Sequence, residues 1–147
     1  MGYTIRTARF EADEPTIRAI RFKVFVDEQH VPPEIEMDDR DPHCVHLLAF
    51  AGDQAIATAR IDIPHGGKVG RLAVLPDWRN QGIGRALMQR CHDLARAQGL
   101  TAVWCHAQLS AASFYAGLGY EPGGDSFDEA GIAHIRMTVT LGHANKR

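Results

Sequence analysis

One segment limits the possible folds more than any other: Leu72-Ala73-Val74-Leu75-Pro76-Asp77-Trp78-Arg79-Asn80-Gln81-Gly82-Ile83-Gly84-Arg85. An apolar strand runs into a proline-stopped turn, and Arg-x-x-Gly-x-Gly then opens a helix. Ile83, Leu87, Cys91 and Leu94 mark that helix's apolar stripe, and Gly99 follows as its C-terminal stop. The first turn of a helix has unpaired N–H groups and the positive end of the helix dipole. Glycines at 82 and 84 let a diphosphate approach the backbone, and Arg79 and Arg85 add positive charge. The segment therefore reads as an anion site. Tight turns and close helix–sheet packing also use such glycines. A phosphate-binding P-loop would need Gly-Lys-Ser/Thr, which is absent. A dinucleotide fingerprint would need a third glycine where Leu87 stands.

The remaining pattern is β-α-β-β-β-α-β-α-β-β. Tyr3 to Arg9 reads as a strand. Asp13-Glu14-Pro15 reads as a helix start, followed by a stripe of Ile17, Ile20, Val24 and Phe25. Val31 to Pro42 reads as a loop with one helical turn. His43 to Ala51, Gln54 to Ile63 and Lys68 to Leu75 read as strands. In the second of these, Thr58, Arg60 and Asp62 are expected on an exposed face. Leu100 to Ala107 reads as a central strand, Ser110 to Leu118 as a helix, and Tyr120 to Gly124 as a short turn-rich piece. Ile132 to Leu141 reads as a strand with His134 and Arg136 facing outward, before a polar tail from Gly142 to Arg147. Hairpins first and crossovers later imply a mixed α/β (α+β) sheet with helices on its faces.

The 147 residues suit a single domain spanning 1–147. Hydrophobic residues at 45% and charged residues at 23% argue against disorder. A net charge of −2 argues against a nucleic-acid binder, and no apolar run approaches the roughly 18 residues of a membrane span. Cys44, Cys91 and Cys105 form no CxxC pair, so a reducing cytoplasm is expected. His43-Cys44-Val45-His46 would be a poor chelate on a strand, and no metal is expected. Seven of the 18 acids lie between Asp27 and Asp41 against one base, Arg40. Two solvated faces would explain this. So would two ligands of opposite sign, an anion near Arg79–Arg85 and a cation near the acids.

Arg79-Asn80-Gln81-Gly82-Ile83-Gly84 resembles the acetyl-CoA motif of the GCN5-related N-acetyltransferases (GNAT), Q/R-x-x-G-x-G/A. Ser113-Phe114-Tyr115-Ala116-Gly117-Leu118-Gly119-Tyr120 resembles the superfamily's following signature. Val24-Phe25-Val26-Asp27-Glu28-Gln29, Ala107-Gln108 and His134-Ile135-Arg136-Met137 are similar to its ElaA-like branch. The resemblance covers essentially the whole chain. It implies a mostly antiparallel sheet of six to seven strands, with a splay between strands 4 and 5. It also implies that Leu72, Ala73 and Val74 contact the pantetheine arm. The amides of Asn80, Gln81, Gly82, Ile83, Gly84 and Arg85 would hold the pyrophosphate with Arg79 nearby, and Gln108 would reach the pantetheine.

The implied reaction is direct attack of a primary amine on acetyl-CoA within a ternary complex. The amine must be neutral, and a lysine-like amine of pKa ~10.4 is mostly protonated at pH 7. The oxyanion needs a donor, expected from the Val74 N–H at a strand bulge. Tyr115 matches the family's acid position for the leaving thiolate. The base is a departure: several members carry a Glu where this chain has Val103. Glu28, His106 and His46 are candidates, in that order, beside a water chain polarised by the acids. The acidic segment points to a cationic small-molecule or peptide amine. Many members pair as dimers, and the resemblance implies a homodimer as one option. A non-catalytic acyl-CoA-binding module is the alternative, and a domain binding an unrelated phosphate ligand is a third.

Overall fold

The computed structural model describes residues 2–142, and the residues from His143 to Arg147 in the polar tail lie outside them. Seven strands form one sheet: β1 (Thr4–Thr7), β2 (Val45–Ala51), β3 (Gln54–Asp62), β4 (Lys68–Val74), β5 (Ala102–Gln108), β6 (Glu121–Glu129) and β7 (Ile132–Thr140). Their spatial order is β1-β2-β3-β4-β5-β7-β6. Every neighbouring pair is antiparallel except β4 and β5. The helices are α1 (Phe10–Arg21), α2 (Pro33–Glu36), α3 (Ile83–Ala97) and α4 (Ala112–Ala116). A π-helical segment, Phe22–Glu28, continues α1.

Both sheet faces are covered, because the inner strands are apolar on both sides. Leu48 and Ala73 pack with Ile17, Ile20 and Val24 of the first helix. Leu47, Ile61, Val69, Val103, Cys105 and Met137 pack on the other face with Ile83, Leu87, Met88 and Cys91 of α3. The end of α3 is set by local sequence. Gly99 takes φ +82, its N–H donates to Arg96 O at 2.9 Å, and Leu100 N–H donates to Ala95 O at 3.0 Å. These two bonds close a Schellman motif.

Four expectations need correction. The first helix begins at Phe10, placing Pro15 in its interior. Asp13 still serves the start by accepting the Arg9 N–H at 2.8 Å. Thr58, Arg60 and Asp62 are buried, because α1 and the acidic segment cover the face where solvent was expected. His134 is buried as well, against Phe127 of the neighbouring strand. The short turn-rich piece after Tyr120 is part of a nine-residue edge strand, β6. Its residues are mostly exposed, and its form comes from pairing with β7.

Candidate active site

The strand pair at the middle of the sheet creates the site. β4 and β5 meet in a single registered pair, Lys68 with Trp104, where Trp104 N–H donates to Gly67 O at 3.2 Å. Beyond it the strands diverge. β4 also carries an extra residue there: Thr58 pairs with Ala73 and Arg60 with Gly70, leaving Arg71 and Leu72 opposite Ala59. Arg71 has φ +48, an uncommon conformation for a side-chain-bearing residue. The bulge is thus at Arg71, not at Val74 as expected from the sequence. Val74 pairs regularly with Ala57.

A cavity of about 310 Å³ fills the divergence. Leu72 of β4, His106, Ala107 and Gln108 of β5, and Phe114 and Tyr115 of α4 line it, together with Lys68 and Glu129. Gln108 donates through Nε2 to Gln29 Oε1 at 2.7 Å, tying β5 to the end of the π-helical segment. The sequence reading singled out Gln29 only as part of a resembling segment, and its bond to Gln108 was out of reach because 79 residues separate the pair.

The turn of Arg79 to Gly82 gives α3 an open N-terminus. Asn80 and Gly82 both take positive φ, +64 and +83. Gly82 caps the helix without a side-chain hydrogen bond. The first helical bond is Ala86 N–H to Gly82 O at 3.0 Å, so Ile83, Gly84 and Arg85 precede the hydrogen-bonded ladder. Ile83's side chain is buried in the core, leaving only its main chain at this surface. A Cβ on Gly84 would lie 3.5 Å from Phe114 and 3.7 Å from Leu72, so this glycine adjoins the cavity wall. Arg85 is exposed and in no ion pair among the described residues.

Arg79 and Glu28, expected in separate roles, are bonded to each other. Arg79 donates to both Glu28 carboxylate oxygens at 2.6 and 3.1 Å, and through Nε to Val74 O at 2.8 Å. This hydrogen bonding holds the Glu28 carboxyl below its ordinary range, which weakens it as a base. Glu28 is not among the cavity-lining residues. Ala73 is buried against the α1 cluster, so its side chain faces away from the cavity.

His106 is better placed. Its Nδ1 lies 2.9 Å from Glu129 Oε1. A carboxylate accepts only, so Nδ1 carries the hydrogen and Nε2 keeps a lone pair. Burial, and next the charge of Lys68, pull the imidazole below its ordinary value despite Glu129. At neutral pH it is uncharged and able to accept a proton. His46 is fully buried, with Nε2 2.8 Å from Asp41 O, and sits outside the cavity lining.

Tyr115 is buried in the α4 face with its ring edge against Phe114 and Tyr120. Burial pushes its phenol well above its ordinary value, so it stays protonated across neutral pH. Tyr120's hydroxyl is taken by His92 Nε2 at 2.7 Å. Among the described residues none takes Tyr115's.

The acidic segment folds inward. Arg21, fully buried, donates to Glu36 Oε2 and Asp41 Oδ1, both at 2.8 Å. Arg60 donates to Asp38 and Asp41 at 2.8 and 2.7 Å, Arg71 to Asp38 at 3.1 Å, and Arg40 to Asp62 at 2.9 Å. Glu36, Asp38 and Asp41 are structural ion pairs and are not open to a cation, whereas Asp27, Glu34 and Asp39 are exposed and in no ion pair among the described residues. None of the arginines pairing Glu36, Asp38 and Asp41 adjoins them in sequence, and Arg40, which does, pairs with Asp62 instead.

A family model described as an acetyltransferase (GNAT) domain matches residues 11–141. YyaT of Bacillus subtilis, itself uncharacterized, is 35% identical over 141 residues, covering 93% of this chain and 95% of that protein. ElaA of Escherichia coli is 31% identical over 124 residues, 80% of this chain and 81% of that one. The ElaA crystal structure superposes with a TM-score of 0.83 over 94% of this chain and 99% of that one. The PaiA N-acetyltransferase of Thermoplasma acidophilum, crystallised with coenzyme A, shares the fold at 16% identity and TM-score 0.74, covering 96% of this chain and 100% of that chain. The family model over most of the chain, and relatives above 30% identity over most of both chains, agree with the resemblance read from the motifs: this chain belongs to the GNAT acetyltransferase family.

Proposed function

We propose that the protein is an acetyl-CoA-dependent N-acetyltransferase acting on a primary amine, with His106 as base and Tyr115 as acid. The carrying observation is that one cavity reaches both residues through the β4–β5 divergence. The coenzyme fits the residues present. The α3 N-terminus lacks a side-chain cap, Gly84 adjoins the cavity wall, and β4 beyond Arg71 has no registered β5 partner. The N–H groups of Ile83, Gly84 and Arg85 would hold the pyrophosphate, with Arg85 supplying charge. Asn80, Gln81 and Gly82 shape the approach, and Arg79, bound to Glu28, holds the turn against β4. Leu72 and Gln108 would flank the pantetheine arm.

Acetyl-CoA, when bound, supplies the acetyl group as a thioester. His106 Nε2 accepts a proton from the amine nitrogen, while Glu129 holds the ring in the required tautomer. The Leu72 N–H, directly after the bulge, is the donor for the carbonyl oxygen. Tyr115's hydroxyl hands a proton to the departing sulfur. One proton moves in net from nitrogen to sulfur, and exchange through solvent resets both residues. The three cysteines form no disulfide among the described residues, which is compatible with a reducing, cytoplasmic setting.

The test is calorimetric titration with acetyl-CoA, followed by free-thiol detection across a panel of amines. Binding together with amine-dependent thiol release supports the reading. No heat at millimolar acetyl-CoA overturns it.

A further inference from the structure

We propose that the acceptor carries an oxyanion, a carboxylate or phosphate, besides its amine, and that Lys68 and Arg71 bind it over Gly70. This names the substrate class of the acetyl-transfer site and rests on that reading.

Three carboxylates line the cavity, and each is engaged. Glu36 is held by Arg21 with Arg71 3.3 Å away, Asp62 by Arg40, and Glu129 by His106. At Glu36 and Asp62 a second cationic group on the acceptor would have to displace an arginine, while Glu129, hydrogen-bonded through Oε1 to the uncharged His106, keeps its charge and acts on Lys68. The lining cations are less fully matched. Arg60 is saturated by Asp38 and Asp41. Lys68 has no carboxylate within 4.0 Å among the described residues, and its ammonium lies 5.2 Å from the Trp104 ring centroid. Arg71 spends Nε and Nη2 on Glu36 and Asp38, while Nη1 makes no hydrogen bond among the described residues.

Gly70 stands between these two cations on the bulged strand, and it lines the cavity. A Cβ built there would meet nothing within 4 Å. Its φ lies outside the left-handed region, so the backbone does not demand glycine. The missing side chain leaves an open slot flanked by ammonium and guanidinium donors. An oxyanion in that slot would gain charge-assisted hydrogen bonds within a partly desolvated pocket. His106 and Glu129 line the same cavity, which would bring the amine end of a small acceptor to the base.

The test compares matched amines in the presence of acetyl-CoA: glycine with glycinamide, 4-aminobutyrate with its amide, and 2-aminoethyl phosphate with ethanolamine. Spermidine is the polycationic control. The expected result is kcat/KM at least about tenfold higher for the anionic member of a matched pair. The carboxylate and phosphate arms distinguish the two sources of the oxyanion. Lys68→Met and Gly70→Val should each bring the ratio toward one, and Lys68→Arg should keep most of it. A wild-type ratio near one, a ratio unmoved by Lys68→Met, or faster turnover of spermidine would overturn the proposal. Thiol release from no amine counts against the enzymatic reading alone. Calorimetry with N-acetylglycine and N-acetylglycinamide in the presence of coenzyme A then decides the anion slot. Binding of the acid that Lys68→Met abolishes upholds it, and equal or absent binding of the two overturns it.

Discussion

Replacing Arg21 with methionine isolates what the buried ion network contributes. The guanidinium is fully buried and donates four hydrogen bonds: to Glu36 Oε2, Glu36 O and both oxygens of Asp41, at 2.6–3.3 Å. Methionine has similar reach and leaves little cavity, so the loss is electrostatic. Glu36 and Asp41 would remain, 3% and 1% exposed. Arg71 and Arg60 still face them, which limits the damage without removing it. Breaking a buried pair from one side costs about 3–5 kcal/mol. For a domain of this size, that lowers Tm by roughly 6–20 °C. The pH dependence gives a sharper check. Burial already pushes the Glu36 carboxyl up against the pull of Arg71 and Arg21. Without Arg21, the folded-state affinities of Glu36 and Asp41 for protons rise further. Relative to wild type, the folded variant then takes up more protons as pH falls, so the destabilisation shrinks on acidification. Thermal melts of variant and wild type should therefore converge between pH 8 and pH 5. A variant melting within about 2 °C of wild type at pH 8, or a gap that widens on acidification, would refute the reasoning.

Tyr115→Phe should reduce kcat by about 10²–10⁴-fold. Calorimetric affinity for acetyl-CoA should stay within twofold, because the ring packing is kept. In the wild type, kcat/KM should fall as pH drops through a His106 pKa below its ordinary value, as a required base demands. Glu129→Gln should move that acidic limb to still lower pH, since the carboxylate raises the imidazole's proton affinity, and lower kcat about tenfold or more. An unchanged pH profile in that variant would count against the pair. Hydrogen bonding and charge from Arg60, with Arg71 adding to them, outweigh burial and hold Asp38 down at about 2. A depressed carboxyl contributes stability that is full above its unfolded value near 3.8 and is lost as pH falls toward 2. Asp38→Asn should flatten the Tm-against-pH curve in that window.

What could be read from the sequence was what short range decides. The α3 stripe, Gly99 at its end and the open Gly82 turn involve neighbours within a turn or two, and they stand where the pattern places them. The alternation in β3 separated its two faces correctly from Ala57 to Asp62, but a bulge beside Ile56 turns Ala55 to the α1 side and puts Ile56 in the α3-facing core. The alternation could not tell what covers the face bearing Arg60, because the answer lies 22 residues away in Asp38 and 19 away in Asp41. β6 was missed for a related reason. Gly123-Gly124-Asp125-Ser126 has turn composition, and the register does break at residues 124–126; the strand exists because β7 pairs with Glu121–Gly123 before the break and Phe127–Glu129 after it.

Charge shows the limit most clearly. Counted along the chain, Asp27 to Asp41 is an acidic patch, and an acidic patch suggests a cation. Folding changes that sum. Glu36, Asp38 and Asp41 meet Arg21, Arg60 and Arg71 from three other elements, while Glu28 meets Arg79 from 51 residues away. Every acid spent this way takes an arginine with it, so the sign of what remains depends on the leftover groups. Among the cavity-lining ionisable groups, the leftover donor is Lys68, with one free edge of Arg71 beside it. An ion-pair network of this kind fixes β3, β4 and the acidic segment to one another. Arg71, the bulge residue, is part of it, so several of the charges that misdirect a reading of ligand sign also line the cavity.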